Sequence, residues 1–482
     1  MRPGAWLQNS VQRLIGNALG TAIKPQQGSD VSTTKAKAVV ASASPRTLPP
    51  PPRALRKPLL QLQSIVDPKV SEVEGGRRAE SFSIWYAGIP QVQKEEIWML
   101  ISEYFGPDVS EVSGARLAYE EALGTAEEGT AEIRLRRSLI SPRTRLMQRF
   151  AAYSGGMRFL VDLRAQILPH LKSNKRLVAL DAELEQLFST WFDVAFLELR
   201  RLSWDSPASL VEKLIQYEAV HDIRSWGDLK NRLDSDRRCY GFFHPSLPNE
   251  PLIFVEVALL NEIADSITPL LDEAAAPQDI KKSTVAIFYS ISNTQTGLKG
   301  VSFGDSLIKR VVQVLRDEFP KLRTFATLSP IPGFRSWATK NMEELISKLD
   351  EKECSSLGKA MGLKSKPTAQ EFLTACDDVT AWDEKSELRQ FLTRCAATYL
   401  GATKAGTSPF DAVARFHLTN GARIERLNWG ADPSNKGVKQ SFSLMVNYLY
   451  DLKRLDKHRK ALNEGEIPSS PEIQELILKS KK

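Results

Sequence analysis

The chain has 482 residues, 42% hydrophobic and 26% charged, the ordinary mix of a soluble globular protein with room for two or three domains. No apolar run approaches the ~20 residues that a bilayer-spanning helix needs, so no membrane span is expected. The net charge of +7 points to nucleic acid only at first sight, because residues 1–57 hold nine basic side chains against the single acid Asp30 and leave the rest at −1. A near-neutral body offers no broad phosphate-neutralising face, which excludes duplex binding.

The N-terminus has the character of an address. Trp6, Leu7, Val11, Leu14, Ile15 and Leu19 fall near helical spacing beside Arg2 and Arg13, and the next stretch is rich in Ser, Thr and Ala but poor in acids. Such a leader fits a mitochondrial or chloroplast transit peptide; a disordered basic tail is the other reading. Pro49 to Pro52 then marks a linker, so residues 1–57 are expected to be transit peptide and Pro-rich linker. The C-terminal Lys479-Ser480-Lys481-Lys482 lacks a peroxisomal Ser-Lys-Leu.

Residues 58–200 are expected to form a helical domain for support or oligomerisation. Ile97, Leu100, Ile101 and Tyr104 share a helical face, as do Phe159, Leu160, Leu163, Ile167 and Leu171. Leu184, Leu187, Trp191 and Val194 make a third stripe.

The pattern changes near residue 235. Cys239 to Phe243, Leu252 to Val257, Val285 to Ile291 and Thr324 to Leu328 are β-branched and aromatic runs that predict strands, with a helix from Leu307 to Phe319. Two strands joined by a helix suggest a βαβ-like unit with the strands side by side. Further helices are predicted over Met342–Leu349, Glu384–Tyr399 and Ser441–Leu462. Val413–Leu418 and Arg423–Leu427, joined by Thr419-Asn420-Gly421, predict a β-hairpin. A second domain over 201–465 and a charged tail over 466–482 complete the expected organisation. The four cysteines, Cys239, Cys354, Cys376 and Cys395, lack paired metal-ligand spacing and suit a reducing compartment, while leaving a bridge between subunits open.

Three stretches could carry chemistry. Lys299-Gly300-Val301-Ser302-Phe303-Gly304-Asp305 sits between a predicted strand and helix, where glycines allow close backbone approach and a helix N-terminus attracts phosphate. By itself it also suits an ordinary strand-to-helix turn. Ser329, in Ser329-Pro330-Ile331-Pro332-Gly333-Phe334, is either a stiffly held hydroxyl or the N-cap of a helix over Phe334 to Lys340. His417, in Phe416-His417-Leu418-Thr419-Asn420-Gly421, falls with Arg415 and Thr419 on one face of the predicted strand.

Together with His244 to Pro251, Phe288 to Ser292, Asn428-Trp429 and Asn447 to Tyr450, these stretches resemble the malonyl-CoA decarboxylase family in the right order along the chain. The loop at 299–304 is similar to the pyrophosphate loop of GNAT acyltransferases, with Lys299 for Arg or Gln and Ser302 replacing the middle Gly. The resemblance implies an α+β, mostly helical protein: an N-terminal helical bundle followed by a GNAT-like α/β catalytic domain. It implies conversion of malonyl-CoA to acetyl-CoA and carbon dioxide, in control of fatty acid metabolism. Ser329 and His417 take the catalytic positions, Ser290 and Tyr450 supporting ones, and Lys299 to Asp305 the CoA-binding loop. It implies no metal or other cofactor, a homodimer or homotetramer, and the mitochondrial matrix, with cytoplasm, peroxisome or plastid as alternatives. A histidine near its unperturbed pKa would serve as the general acid. A GNAT-type acyltransferase and a non-catalytic CoA-binding protein are the competing readings.

Overall fold

The computed structural model describes residues 50–301, 307–376, 382–383, 385–403 and 408–478. The expected leader over 1–49, Ser302 to Asp305 of the expected CoA loop, and the last four residues lie outside these. The first helix among the described residues, Arg53–Val66, starts inside the stretch expected to be linker. Its Leu62 and Ile65 are buried, so the chain gains apolar burial as soon as the proline run ends.

Helices Glu72–Ala87, Gln91–Tyr104, Val109–Ala122, Glu128–Ser138, Pro142–Ala151, Gly156–Ile167 and Val178–Trp191 follow. Several start where a side chain accepts from a backbone N–H of the first turn: Ser71 from Glu74, Asp108 from Glu111, and Ser141 from Thr144. The expected stripes face inward, with Ile97, Leu100, Ile101, Leu160, Leu163, Ile167 and Leu184 buried. They join residues of the sheet half, such as Phe242 and Val255, in one continuous core.

The described residues form one eight-stranded mixed sheet. Its strands are β1 (Glu198–Leu202), β2 (Arg237–His244), β3 (Leu247–Leu260), β4 (Val285–Asn293), β5 (Thr324–Thr327), β6 (Ser329–Pro330), β7 (Arg423–Asn428) and β8 (Met445–Leu449). The order is β1-β2-β3-β4-β5-β8-β6, with β7 also on β8. β4 and β5 pair in parallel, as expected of strands joined through the helix Leu307–Glu318. All other neighbours are antiparallel.

Two features open this sheet. Val257 pairs with Phe288 but Glu256 with Ser290, so Tyr289 is an extra residue that bulges β4. The β4–β5 ladder ends at Phe288 and Thr327, while β4 runs on to Asn293. Beyond that rung the two strands part.

Three expectations fail here. Val413–Leu418 is not a strand: Ala412–Thr419 is a helix, capped by Asp411, which accepts from the backbone N–H groups of Val413 and Ala414 at 2.9 Å each. Over so short a segment, alternation and helical spacing fit the same residues, and Ala414, His417 and Leu418 bury the helical i, i+3, i+4 face. Asn420-Gly421 is therefore the exit of a helix, with Gly421 at φ +89° and packed where a Cβ would lie 2.8 Å from the Leu455 carbonyl oxygen. Arg423–Asn428 is a strand, but its partner is β8.

Ser441–Leu462 is not one helix. Phe442 and Ser443 take positive φ, β8 follows, and helix resumes only at Leu455–Asn463. Asn447 explains the strand: its side chain donates to the carbonyls of Thr327 on β5 (2.8 Å) and of Ala264 in the loop after β3 (3.0 Å), and accepts from Asn428 on β7 (2.8 Å), which holds it between its neighbours. Residues 466–478 of the expected charged tail are packed against the body. Ser470 caps the helix Pro471–Leu476, and Ile473 and Leu478 are buried.

The two halves approach closely at Gly297, where a Cβ would sit 1.9 Å from the Val161 carbonyl oxygen. Gly297→Ala is expected to cost about 2 kcal/mol or more in a denaturant titration. Unchanged stability would show that the contact is not tight in solution.

Candidate active site

Ser329 stands where the sheet opens. Its segment pairs with β8 (Ser329 with Val446), so it does not cap the helix Phe334–Ser347, which starts at Gly333 without a side-chain cap. The hydroxyl is left for other work. Ser329 Oγ lies 3.3 Å from His417 Nε2 and 2.9 Å from Thr327 Oγ1, which also accepts the Tyr448 N–H at 3.1 Å. His417 Nδ1 meets the Tyr450 hydroxyl at 2.8 Å. The imidazole stacks on the Tyr448 ring, centroids 4.6 Å apart and planes 24° apart, with Phe416 edge-on. Residues 88 positions apart, a hydroxyl and an imidazole, thus meet at one place.

Burial fixes the protons. It pushes the Tyr450 phenol well above its usual value, so Tyr450 keeps its proton. Among the described residues the only bond recorded for that hydroxyl is the one to His417 Nδ1. Donation by Tyr450 gives its buried O–H a partner and puts the imidazole proton on Nε2, aimed at Ser329 Oγ. Burial also lowers the His417 pKa from 6.5 to about 3. The expected histidine with an ordinary pKa is therefore corrected: the ring is neutral at pH 7.

Ser329 and His417 line a cavity of about 450 Å³, the size of a small-ligand site, with Tyr450 behind the imidazole. Phe288 to Ile291 of β4 form one wall; Ser329, Pro330, Phe416, His417 and Asn420 are also in its lining. Val301, within the expected CoA loop, and Leu307, just after it, reach the cavity. Of that loop, Lys299, Gly300 and Val301 are described, and Gly300 has φ +84°, a conformation glycine adopts without strain. Ser302, Phe303, Gly304 and Asp305 lie outside the described residues. Ser290 lines the same cavity, but its hydroxyl bonds to Glu218 rather than to Ser329 or His417.

Sequence reasoning missed three contributors. Arg164, 1% exposed, donates to the Gly297 (2.8 Å) and Lys299 (2.9 Å) carbonyls and pairs with Asp181 and Glu185, so a helix of the N-terminal half holds the start of the loop. A charge inside the apolar stripe Leu160 to Ile167 was the available signal. Thr327 and Glu218 carried none. Among the described residues no cluster of His, Cys, Asp or Glu could hold a metal ion, and no helix is long and apolar enough to cross a membrane.

Fold and site together define an enzyme in which a buried serine–histidine–tyrosine line faces a cavity at a split in a mixed sheet. Family models for the malonyl-CoA decarboxylase N-terminal and C-terminal domains match residues 105–192 and 195–482. A mitochondrial malonyl-CoA decarboxylase of Mus musculus is 35% identical over 420 residues, 82% of this chain and 84% of the relative. That of Anser anser anser is 36% identical over 431 residues, 83% of each. The crystal structure of malonyl-CoA decarboxylase from Rhodopseudomonas palustris superposes with TM-score 0.75 at 38% identity, covering 87% of this chain and 99% of that one. The Cupriavidus metallidurans structure gives 0.72 at 40% identity, covering 88% and 100%. The chain belongs to the malonyl-CoA decarboxylase family.

The neutral imidazole has a consequence for stability. An unfolded histidine takes its proton near pH 6.5, whereas folded His417 resists until about pH 3. Its contribution is fully present above pH 6.5 and is lost as pH falls through that window. His221, lowered by burial to about 4, acts in the same direction. The melting temperature should therefore fall on acidification below pH 6.5, and less steeply in His417→Gln; parallel curves would show that His417 is not buried neutral.

Proposed function

We propose that Ser329 and His417 carry out the decarboxylation of malonyl-CoA to acetyl-CoA and carbon dioxide in the cavity beside β4. Family membership supplies the reaction, a step of fatty acid metabolism. The single observation that carries the assignment of residues is the 3.3 Å approach of Ser329 Oγ to His417 Nε2 at the cavity wall.

When the bond to the carboxyl carbon breaks, its electron pair enters the thioester carbonyl and makes an enolate, whose α-carbon then takes a proton. Ser329 orients the malonyl carboxylate out of the thioester plane, so that the breaking bond overlaps the carbonyl π system. Fixed donors where charge develops are worth ~3–4 kcal/mol each. Neutral His417 cannot by itself supply the proton. An arriving carboxylate reverses the balance, because a nearby anion favours imidazolium and opposes the burial that suppresses it. Proton uptake from solvent is thus tied to substrate binding, and the imidazolium returns that proton to the α-carbon, directly or through the Ser329 hydroxyl. The thioester is the electron sink, so the scheme calls on no metal, biotin or pyridoxal group. Lys299, Gly300 and Val301, with Ser302, Phe303, Gly304 and Asp305, are assigned to the CoA phosphates, and Tyr450 to holding the His417 tautomer.

Protein lacking residues 1–57, or 1–49 where helix Arg53–Val66 must be kept, should release acetyl-CoA and carbon dioxide from malonyl-CoA without added metal or amine. Acetyl transfer only in the presence of an amine would make this an acyltransferase. Ser329→Ala and His417→Ala should each lower kcat by about 10²-fold or more, and Tyr450→Phe by about tenfold. A variant with full turnover removes its residue from the scheme.

Relatives named as mitochondrial and the basic, acid-poor leader support the mitochondrial matrix as the compartment. A homodimer or homotetramer is the proposed assembly. Microscopy of residues 1–57 fused to a fluorescent protein and light scattering of the purified chain test these; a diffuse cytosolic signal or a monomer would refute them.

A further inference from the structure

The β4 side of the cavity is organised by a carboxylate that the scheme above leaves unused. Glu218 follows the helix Ala208–Tyr217 and is 8% exposed. One of its oxygens accepts the backbone N–H groups of Val220 (2.8 Å) and His221 (2.9 Å). The Ser290 hydroxyl lies 2.8 Å from both carboxylate oxygens, and the Ser292 hydroxyl donates at 3.0 Å. The same loop is fastened from two other elements: Lys436 donates to the carbonyls of Ala219 (2.8 Å) and Val220 (2.9 Å), and Arg232 to that of His221 (2.8 Å). Val220 and Ser290 both line the cavity.

A serine hydroxyl has one proton and two lone pairs. Glu218 engages the Ser290 proton, so what Ser290 can offer a ligand is a lone pair. A lone pair backed by a buried negative charge repels a carboxylate and accepts an N–H. A CoA thioester has amide N–H groups in its pantetheine arm and, in malonyl-CoA, a carboxylate at its far end.

We propose that Glu218 is a positioning residue acting through Ser290: it makes the β4 wall a hydrogen-bond acceptor for a pantetheine amide N–H and turns the malonyl carboxylate toward Ser329 and His417. This rests on the decarboxylase reading of the cavity. Ser290 thereby belongs to substrate binding rather than to the proton path.

The test uses Glu218→Gln, Ser290→Ala and the double variant in the full chain. Affinity for acetyl-CoA is measured by calorimetry, and kcat and KM with malonyl-CoA. Each single variant should weaken acetyl-CoA binding and raise KM about tenfold with a smaller effect on kcat, the pattern of a lost binding contact. The double variant should be no weaker than the worse single one, because both remove the same contact. Multiplied losses in the double variant, or unchanged acetyl-CoA affinity in Ser290→Ala, overturn the proposal. Should Glu218→Gln fail to fold, the Ser290→Ala affinity decides alone. Acetyl-CoA binding needs no turnover: wild-type protein that binds it but leaves malonyl-CoA intact refutes the decarboxylase reading and not the arm contact.

Discussion

The site depends on the place where β4 and β5 stop pairing. Parallel strands joined by a helix would ordinarily continue their ladder and fill the space between them with backbone hydrogen bonds. Here the ladder ends at Phe288 and Thr327, and the Tyr289 bulge bends β4 just beyond it. Past that rung Ser290 and Ser329 therefore line a cavity instead of pairing with each other; Ser290 pairs with β3 and Ser329 with β8. β8 then takes the edge that β5 and β6 leave free, and brings Tyr448 and Tyr450 under His417.

An opened sheet leaves polar groups in a dry interior, and each needs a partner. Asn447 ties the Thr327 carbonyl to β7 through Asn428, and Thr327 in turn braces Ser329. On the other wall Glu218 gathers two hydroxyls and two backbone N–H groups. The same dryness that strengthens electrostatic interactions also strips the proton from His417. Strong electrostatics and a neutral resting imidazole are two faces of one condition.

How much of this the sequence disclosed depended on the range of the forces involved. Local signals worked: the stripes of the helical half, the βαβ pairing of Val285 to Ile291 with Thr324 to Leu328, and the ordered motifs that resemble the family. Ser329, His417 and Tyr450 were named from those motifs, and they meet. What failed was decided by tertiary contacts. Nothing within Val413–Leu418 distinguishes a strand from an eight-residue helix until Asp411 caps it. Nothing in Ser441–Leu462 announces a slot beside β5, whose inter-strand bonds to Asn447 outweigh helical continuity. The pKa of His417 follows from its neighbours in space, which no local pattern encodes. Glu218 left no trace, because its donors come from strand β4 and from its own loop.

Arg164 gives the helical half a role beyond bulk. Its guanidinium, sunk in the N-terminal helices, holds two carbonyls at the mouth of the loop assigned to CoA, and Gly297 lets those helices come within touching distance. The catalytic half is thus not a free-standing module. Severed from its helices it would keep Ser329 and His417 but lose the anchor that aims the loop, and substrate grip would slacken before chemistry did. Any effector that shifts the helix Gly156–Ile167 has, through this one arginine, a mechanical handle on affinity from outside the catalytic cavity.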